Sequence, residues 1–229
     1  MTTTKLPCRT LLFDLDGTLV DSAPDLWHTM NHVMGKLGLE TLALDQVRNF
    51  VGNGARFLLA RGIYGEHATA PDDNPDFEAA VKLFLDYYQE HMTDHSRPYA
   101  GCMEILQKLK DSGFKLAVVT NKTEKMAKTM LSNLSMDHFF AEIVGGDTLE
   151  ERKPHPLPLL YTLKKLDTPP SFGVMVGDSE TDCKAARSAK CGLILVSHGY
   201  NRGIAVNTLN PDATIDFFEE LPPLLELTS

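Results

Sequence analysis

Apolar and polar positions change their rhythm along the chain, and each rhythm predicts an element. Thr10–Leu15 (TLLFDL) is an apolar run closed by the acidic turn Asp16-Gly17, the pattern of a strand buried on both faces in a parallel sheet. From Leu26 the apolar residues fall at Leu26, Met30, Val33, Met34 and Leu37, an amphipathic helix with Asp21-Ser22 and Pro24 as start signals and Gly38 as a stop. Residues 44–95 read as helix after helix, the clearest opened by Asn74-Pro75 with Phe77, Val81, Phe84, Leu85 and Tyr88 on one face; His67–Asn74 is a polar loop.

From residue 100 helices and strands alternate: helix 102–112, strand Leu116–Thr120, helix 122–134, strand Ile143–Gly145, helix 156–166, strand Gly173–Val176, helix 180–189, strand Leu193–Val196, and a last helix near Phe217–Leu225. Such alternation indicates βαβ units and a parallel sheet. The helical stretch after the first strand is far longer than a crossover requires. The expected architecture is an α/β, doubly wound (Rossmann-like) parallel sheet core, residues 1–21 and 96–229, with an inserted α-helical cap domain at 22–95.

Composition narrows the function. The 229 residues carry 22 Lys and Arg against 31 Asp and Glu, a net charge of −9. That balance argues against nucleic acid as a partner and leaves room for a small phosphorylated metabolite held by local charges. The four cysteines show neither a C-x-x-C pair nor zinc spacing. No apolar run suits a signal peptide or a membrane span, so a cytoplasmic protein with no membrane partner is expected.

Ligands of open α/β sheets bind beyond the carboxyl ends of the strands. At those ends stand Asp14 and Asp16, Thr120-Asn121, and Asp178, with Lys153-Pro154 in a loop before a helix. Separate segments thus bring carboxylates, a hydroxyl and an ammonium to one edge.

Phe13-Asp14-Leu15-Asp16-Gly17-Thr18-Leu19-Val20 resembles the D-x-D-G-T-[LV] signature of the haloacid dehalogenase superfamily of phosphohydrolases. Thr120, Lys153 and Gly177-Asp178-Ser179-Glu180-Thr181-Asp182 resemble its later motifs, in order. The resemblance implies that Asp14 attacks phosphorus to give an aspartyl-phosphate. Asp16, on the same side of an extended chain, then serves as general acid and base, its pKa raised by neighbouring carboxylates. Thr120, Asn121 and Lys153 hold the phosphoryl oxygens, and Gly17 lets the backbone approach the phosphate. Asp14, Asp178, Asp182 and a phosphate dianion against Lys153 leave a large negative excess. A hard divalent cation, Mg²⁺, fits that excess. The family implies the Asp14 carboxylate, the Asp16 backbone carbonyl and Asp178 as its ligands, with Asp182 behind them.

Asn121-x-x-Glu124 and Ser179-x-x-Asp182 are also helix-capping signatures. The pairs His28/His32 and His91/His95 have i, i+4 spacing but supply only two ligands each, and read as exposed helix histidines. Val51-Gly52-Asn53-Gly54-Ala55-Arg56 looks like the cap segment of phosphoglycolate phosphatases, where Arg56, Asn53 and helix-start amides would meet a substrate carboxylate. Val118–Lys122 and His198–Asn201 resemble the same subfamily, and 2-phosphoglycolate is the implied substrate. Glu180-Thr181 and Leu157 depart from the family's commoner residues, which leaves the chemistry intact and the substrate open. Asp16 counts against a dehalogenase or a phosphonatase. A sugar-phosphate mutase, a general small-metabolite or nucleotide phosphatase, and a non-enzymatic phosphate-binding scaffold stand as alternatives.

Overall fold

The computed structural model describes residues 5–228, so the outermost residues of the expected core lie outside the described residues. In chain order the elements are β1 (Leu6–Cys8), β2 (Thr10–Phe13), β3 (Val20–Asp21), α1 (Ala23–Lys36), α2 (Leu44–Phe50), α3 (Ala55–Tyr64), α4 (Pro75–His91), β4 (Arg97–Pro98) and α5 (Cys102–Asp111). There follow β5 (Lys115–Val119), α6 (Glu124–Asn133), β6 (Glu142–Val144), α7 (Leu157–Lys165), β7 (Gly173–Gly177), α8 (Glu180–Ala189), β8 (Gly192–Val196), β9 (Ala213–Ile215) and β10 (Leu225–Leu227).

The main sheet is parallel throughout, in the order β6-β5-β2-β7-β8-β9. β2 lies between β5 and β7, where the strand order reverses, so the crevice beyond Phe13 is the switch point of the sheet. Alternate residues of each strand feed opposite layers. Leu11, Phe13, Leu116 and Val118 pack with α5 and α6 residues such as Leu106 and Met130. Leu12, Ala117, Val119 and Met175 pack with Leu159 and Leu163 of α7 and Ala185 and Ala186 of α8. Burial on both faces is why TLLF carries no polar alternation.

Helices α1–α4 lie between β3 and β4, which pair antiparallel as the outgoing and returning links. Asn74 caps α4, its Oδ1 accepting from the amides of Asp76 and Phe77 at 3.1 Å each. Asp25, in the first turn of α1, accepts from the amides of His95 and Ser96 and from the Ser96 hydroxyl (2.6 Å), tying the returning link to the outgoing helix.

Some expectations are corrected. The segment after Phe217 is two 3₁₀ turns, Phe218–Glu220 and Pro222–Leu224, leading into β10, because Pro222-Pro223 deny an α-helix its amides. β10 pairs with β1 as a separate two-stranded sheet. β9, for which the sequence pattern gave no expectation, is the parallel edge strand beside β8. His28 and His95 are exposed, as expected, although His95 lies beyond the end of α4, while His32 and His91 are half-buried against Tyr87, with His32 stacked on its ring. Aromatic stacking buries ring faces that helical spacing alone leaves in solvent.

Candidate active site

Asp14 follows the last residue of β2, and its amide donates to the Val176 carbonyl of β7 (2.9 Å), which continues the ladder one step into the crevice. Its carboxylate accepts from the Leu15 amide (2.7 Å) and lies 3.1 Å from the Lys153 ammonium. Burial, and the nearby Asp182 carboxylate, raise the Asp14 carboxyl to about 6 despite Lys153, which pulls the other way.

Asp178, just past β7, accepts from the Thr18 hydroxyl (2.8 Å) and the Tyr200 amide (2.6 Å). Burial first, then Asp182 and Asp14, push it well above the carboxylate range. Gly17 turns at φ +85°, and a Cβ there would stand 2.6 Å from an Asp178 oxygen and 2.8 Å from the Tyr200 ring. Gly17 therefore admits the Asp178 carboxylate and the Tyr200 ring against the turn.

Asp182 uses both oxygens on the protein. Oδ1 accepts from Lys153 (2.7 Å), and Oδ2 accepts from the Ser179 hydroxyl (2.7 Å) and the Ser179 and Asp178 amides. It thereby anchors the start of α8 and aims the fully buried Lys153 at Asp14. Asp14, Asp178 and Asp182 each place an oxygen within 4.8 Å of the others. With all three ionised, these carboxyls against one ammonium would leave an excess of two negative charges in a buried pocket, and the raised proton affinities of Asp14 and Asp178 show the cost of that excess. All-oxygen donors with that excess suit a hard divalent cation.

Asp16 has different company from that expected. Its oxygens accept from Lys122 (2.8 Å each) and from the Ser22 hydroxyl (2.5 Å), so an ammonium rather than a carboxylate stands closest to it. The Lys122 ammonium also donates to the Tyr88 hydroxyl of α4 (3.0 Å), and its side chain is only 6% exposed. Burial opposes the charge on Lys122, but Asp16 and Tyr88 outweigh it and raise its pKa. Neither Lys122 nor Tyr88 was singled out from sequence. A lone hydroxyl on the apolar face of α4 is the signal that could have drawn attention to Tyr88.

Asp14, Asp16, Thr120 and Lys122 line one cavity at the strand ends, roofed by Gly52, Gly54, Leu58 and Tyr88 from the helical segment. The buried Thr120 hydroxyl accepts from the Lys122 amide (3.2 Å). Asn121 does not cap a helix: its amide donates to the carbonyls of Lys153 (2.9 Å) and Gly52 (3.1 Å). Those bonds occupy the amide expected to hold phosphate, and its Oδ1 is buried with no partner among the described residues. The first amide of α6 is met instead by Asp147 from the loop after β6 (2.7 Å).

Arg56 is engaged within the helical segment. Its guanidinium makes a two-point pair with Glu78 at 2.7 Å across α3 and α4 and lies over the Phe77 ring, outside the cavity lining. Asn53 lies at the rim, its amide within reach of Thr181 (3.4 Å), Arg61 (3.1 Å) and Arg202 (3.3 Å).

A doubly wound sheet with paired aspartates past its central strand, and an ammonium and further carboxylates at neighbouring strand ends, defines an α/β phosphohydrolase. The profile of the haloacid dehalogenase-like hydrolases matches residues 11–196, and the chain belongs to that family. Among its curated relatives, the phosphoglycolate phosphatase of Thiobacillus denitrificans is 38% identical over 94% of both chains. That of Chromobacterium violaceum is 40% identical over 95% of this chain and 96% of its own. A crystal structure described as a predicted phosphoglycolate phosphatase from Haemophilus somnus superposes with a TM-score of 0.87 at 36% identity, covering 94% of this chain and 96% of that one.

Proposed function

We propose that this protein hydrolyses 2-phosphoglycolate to glycolate and phosphate through a phosphorylated Asp14. The convergence of Asp14, Asp16, Lys153 and Asp178 at the switch point of the sheet carries the reading of the reaction. The relatives named phosphoglycolate phosphatase support the substrate.

Asp14, oriented by the Leu15 amide, is the nucleophile on phosphorus. Lys153 and the Thr120 hydroxyl neutralise and orient the phosphoryl oxygens, and Asn121 holds the Lys153 backbone in place. Asp16 gives a proton to the leaving oxygen and takes one from the water that opens the acyl phosphate. The Asp14 carboxylate, the Asp16 backbone carbonyl and Asp178 would hold Mg²⁺, which when bound neutralises charge on the transferring group. Residues 22–95 act as a cap over residues 1–21 and 96–229. Tyr88 and Gly52 supply the roof that excludes bulk water while Asp14 carries the phosphoryl group. No helix among the described residues is long and apolar enough to cross a membrane. On this proposal the enzyme acts on a small dissolved metabolite in the cytoplasm.

The substrate test is phosphate release with Mg²⁺ from 2-phosphoglycolate, p-nitrophenyl phosphate, sugar phosphates and mononucleotides. A preference for phosphoglycolate that EDTA abolishes is expected. Equal rates across the panel would remove the substrate assignment.

Stability offers an independent check on the cation. A carboxyl raised from 3.8 to about 6 on folding keeps a proton that the unfolded chain has already released. The Asp14 contribution to metal-free stability therefore falls as pH rises from about 4 through about 6. Mg²⁺ should raise the melting temperature near pH 7.5 and raise it less near pH 5, where protons compete for the same oxygens. A melting temperature indifferent to Mg²⁺ at both pH values would contradict the proposed site.

A further inference from the structure

The cavity that holds Asp14 and Asp16 has a single cationic side chain among its described lining residues, Lys122. Lys153 approaches Asp14 but belongs to the lining of a neighbouring pocket that opens toward Arg152 and Lys184. Arg56 is engaged by Glu78 outside the cavity. With Lys153 on the phosphoryl oxygens, a second anionic group close to the phosphate meets one further ammonium among the described lining residues, Lys122, on the Asp16 side.

The chemistry of the ester sharpens the placement. In 2-phosphoglycolate one methylene separates the leaving oxygen from the carboxylate. A carboxyl group that serves the leaving oxygen must consequently have the substrate carboxylate as a close neighbour. Here that neighbourhood is already charged: Lys122 Nζ lies 2.8 Å from both Asp16 oxygens and 3.0 Å from the Tyr88 hydroxyl, with the Tyr88 ring beneath it at 4.8 Å. A buried ammonium held between the strand end and the capping helix is positioned for an incoming carboxylate, since its alternative partner is a carboxylate too.

We propose that Lys122 is the specificity-determining residue that receives the substrate carboxylate, exchanging its Asp16 contact for the substrate. The proposal rests on the phosphoglycolate reading above. The exchange releases the Asp16 oxygens to face the leaving oxygen, so the anion that identifies the substrate also frees the group that acts on it. Tyr88 stays bound to Lys122 throughout and keeps the ammonium over the cavity. A phosphate ester without a second anion leaves Lys122 on Asp16 and turns over poorly.

The test compares kcat/KM for 2-phosphoglycolate and for 2-hydroxyethyl phosphate, which keeps the two-carbon skeleton and replaces the carboxylate by a neutral alcohol. Wild-type protein should favour the acid by about 100-fold, the scale of a buried charge-assisted hydrogen bond. In Lys122→Met that ratio should collapse to within a few-fold of unity, and Lys122→Arg should restore part of it. Because both esters are assayed on one preparation, a misfolded fraction cancels from the ratio. A Lys122→Met protein that loses activity on both esters by the same factor, with the ratio intact, would overturn the proposal and leave Lys122 as a partner of Asp16 alone. A wild type that shows no preference for the acid would instead remove the phosphoglycolate reading, and the proposal with it.

Discussion

Replacing Asp14 by Asn is expected to lower phosphate release by at least about 10⁴-fold, the range seen when a covalent nucleophile is lost. The amide keeps the shape of the side chain but lacks the negative oxygen that attacks phosphorus. The fold should survive the change. In the metal-free protein Asp14 is a buried carboxylate crowded by Asp182, and burial already pushes it toward its neutral form. Removing its charge should leave the melting temperature in EDTA at or above that of the wild type near neutral pH, and should shrink the stabilisation by Mg²⁺. Phosphate release and thermal unfolding with and without EDTA measure both effects. An Asn variant that turns over at more than a few per cent of wild type would exclude Asp14 as the nucleophile.

Lys153→Met should damage both activity and stability. The lysine is 1% exposed and bridges Asp14 at 3.1 Å and Asp182 at 2.7 Å. Methionine fills the aliphatic volume but leaves three buried carboxylates with no counter-charge in their midst. Breaking a buried ion pair by removing one partner costs about 3–5 kcal/mol. The loss should be greatest near neutral pH, where the carboxylates are most charged, and partly offset by Mg²⁺. The phosphoryl oxygens also lose their ammonium, which should reduce kcat by about 10²–10³-fold. A variant that melts within a degree of wild type at neutral pH would show that the cluster is not held by this lysine.

Local signals made β2 legible. It is buried on both faces and so reads as an unbroken apolar run, and the aspartates follow at its carboxyl end. Asn74-Pro75 foretold the start of α4 because both the cap and the amide that donates to it lie within three residues. Partnerships across long separations were not legible. Lys122 meets Asp16 from 106 residues away and Tyr88 from 34, and nothing in the spacing of either announces the contact.

Competition between partners accounts for the other differences. Arg56 looked available to a substrate until α4 brought Glu78 beside it. Asn121 matched a capping pattern, yet Asp147 reaches the α6 amide first and leaves Asn121 to join Gly52 to Lys153. The strands β1 and β10 are three residues each and pair only with one another, too short for period-two alternation to declare them.

Whether Asp14 carries the phosphoryl group is decided by a single-turnover reaction with ³²P-labelled 2-phosphoglycolate, quenched in acid and followed by peptide mapping, on wild type, Asp14→Asn and Asp16→Asn. Acid-stable label is expected on the peptide containing Asp14 in the wild type. More label is expected in Asp16→Asn, which lacks the base that activates water, and none in Asp14→Asn. Label on any other residue, or full turnover by the Asp14→Asn protein, would exclude Asp14 as the carrier.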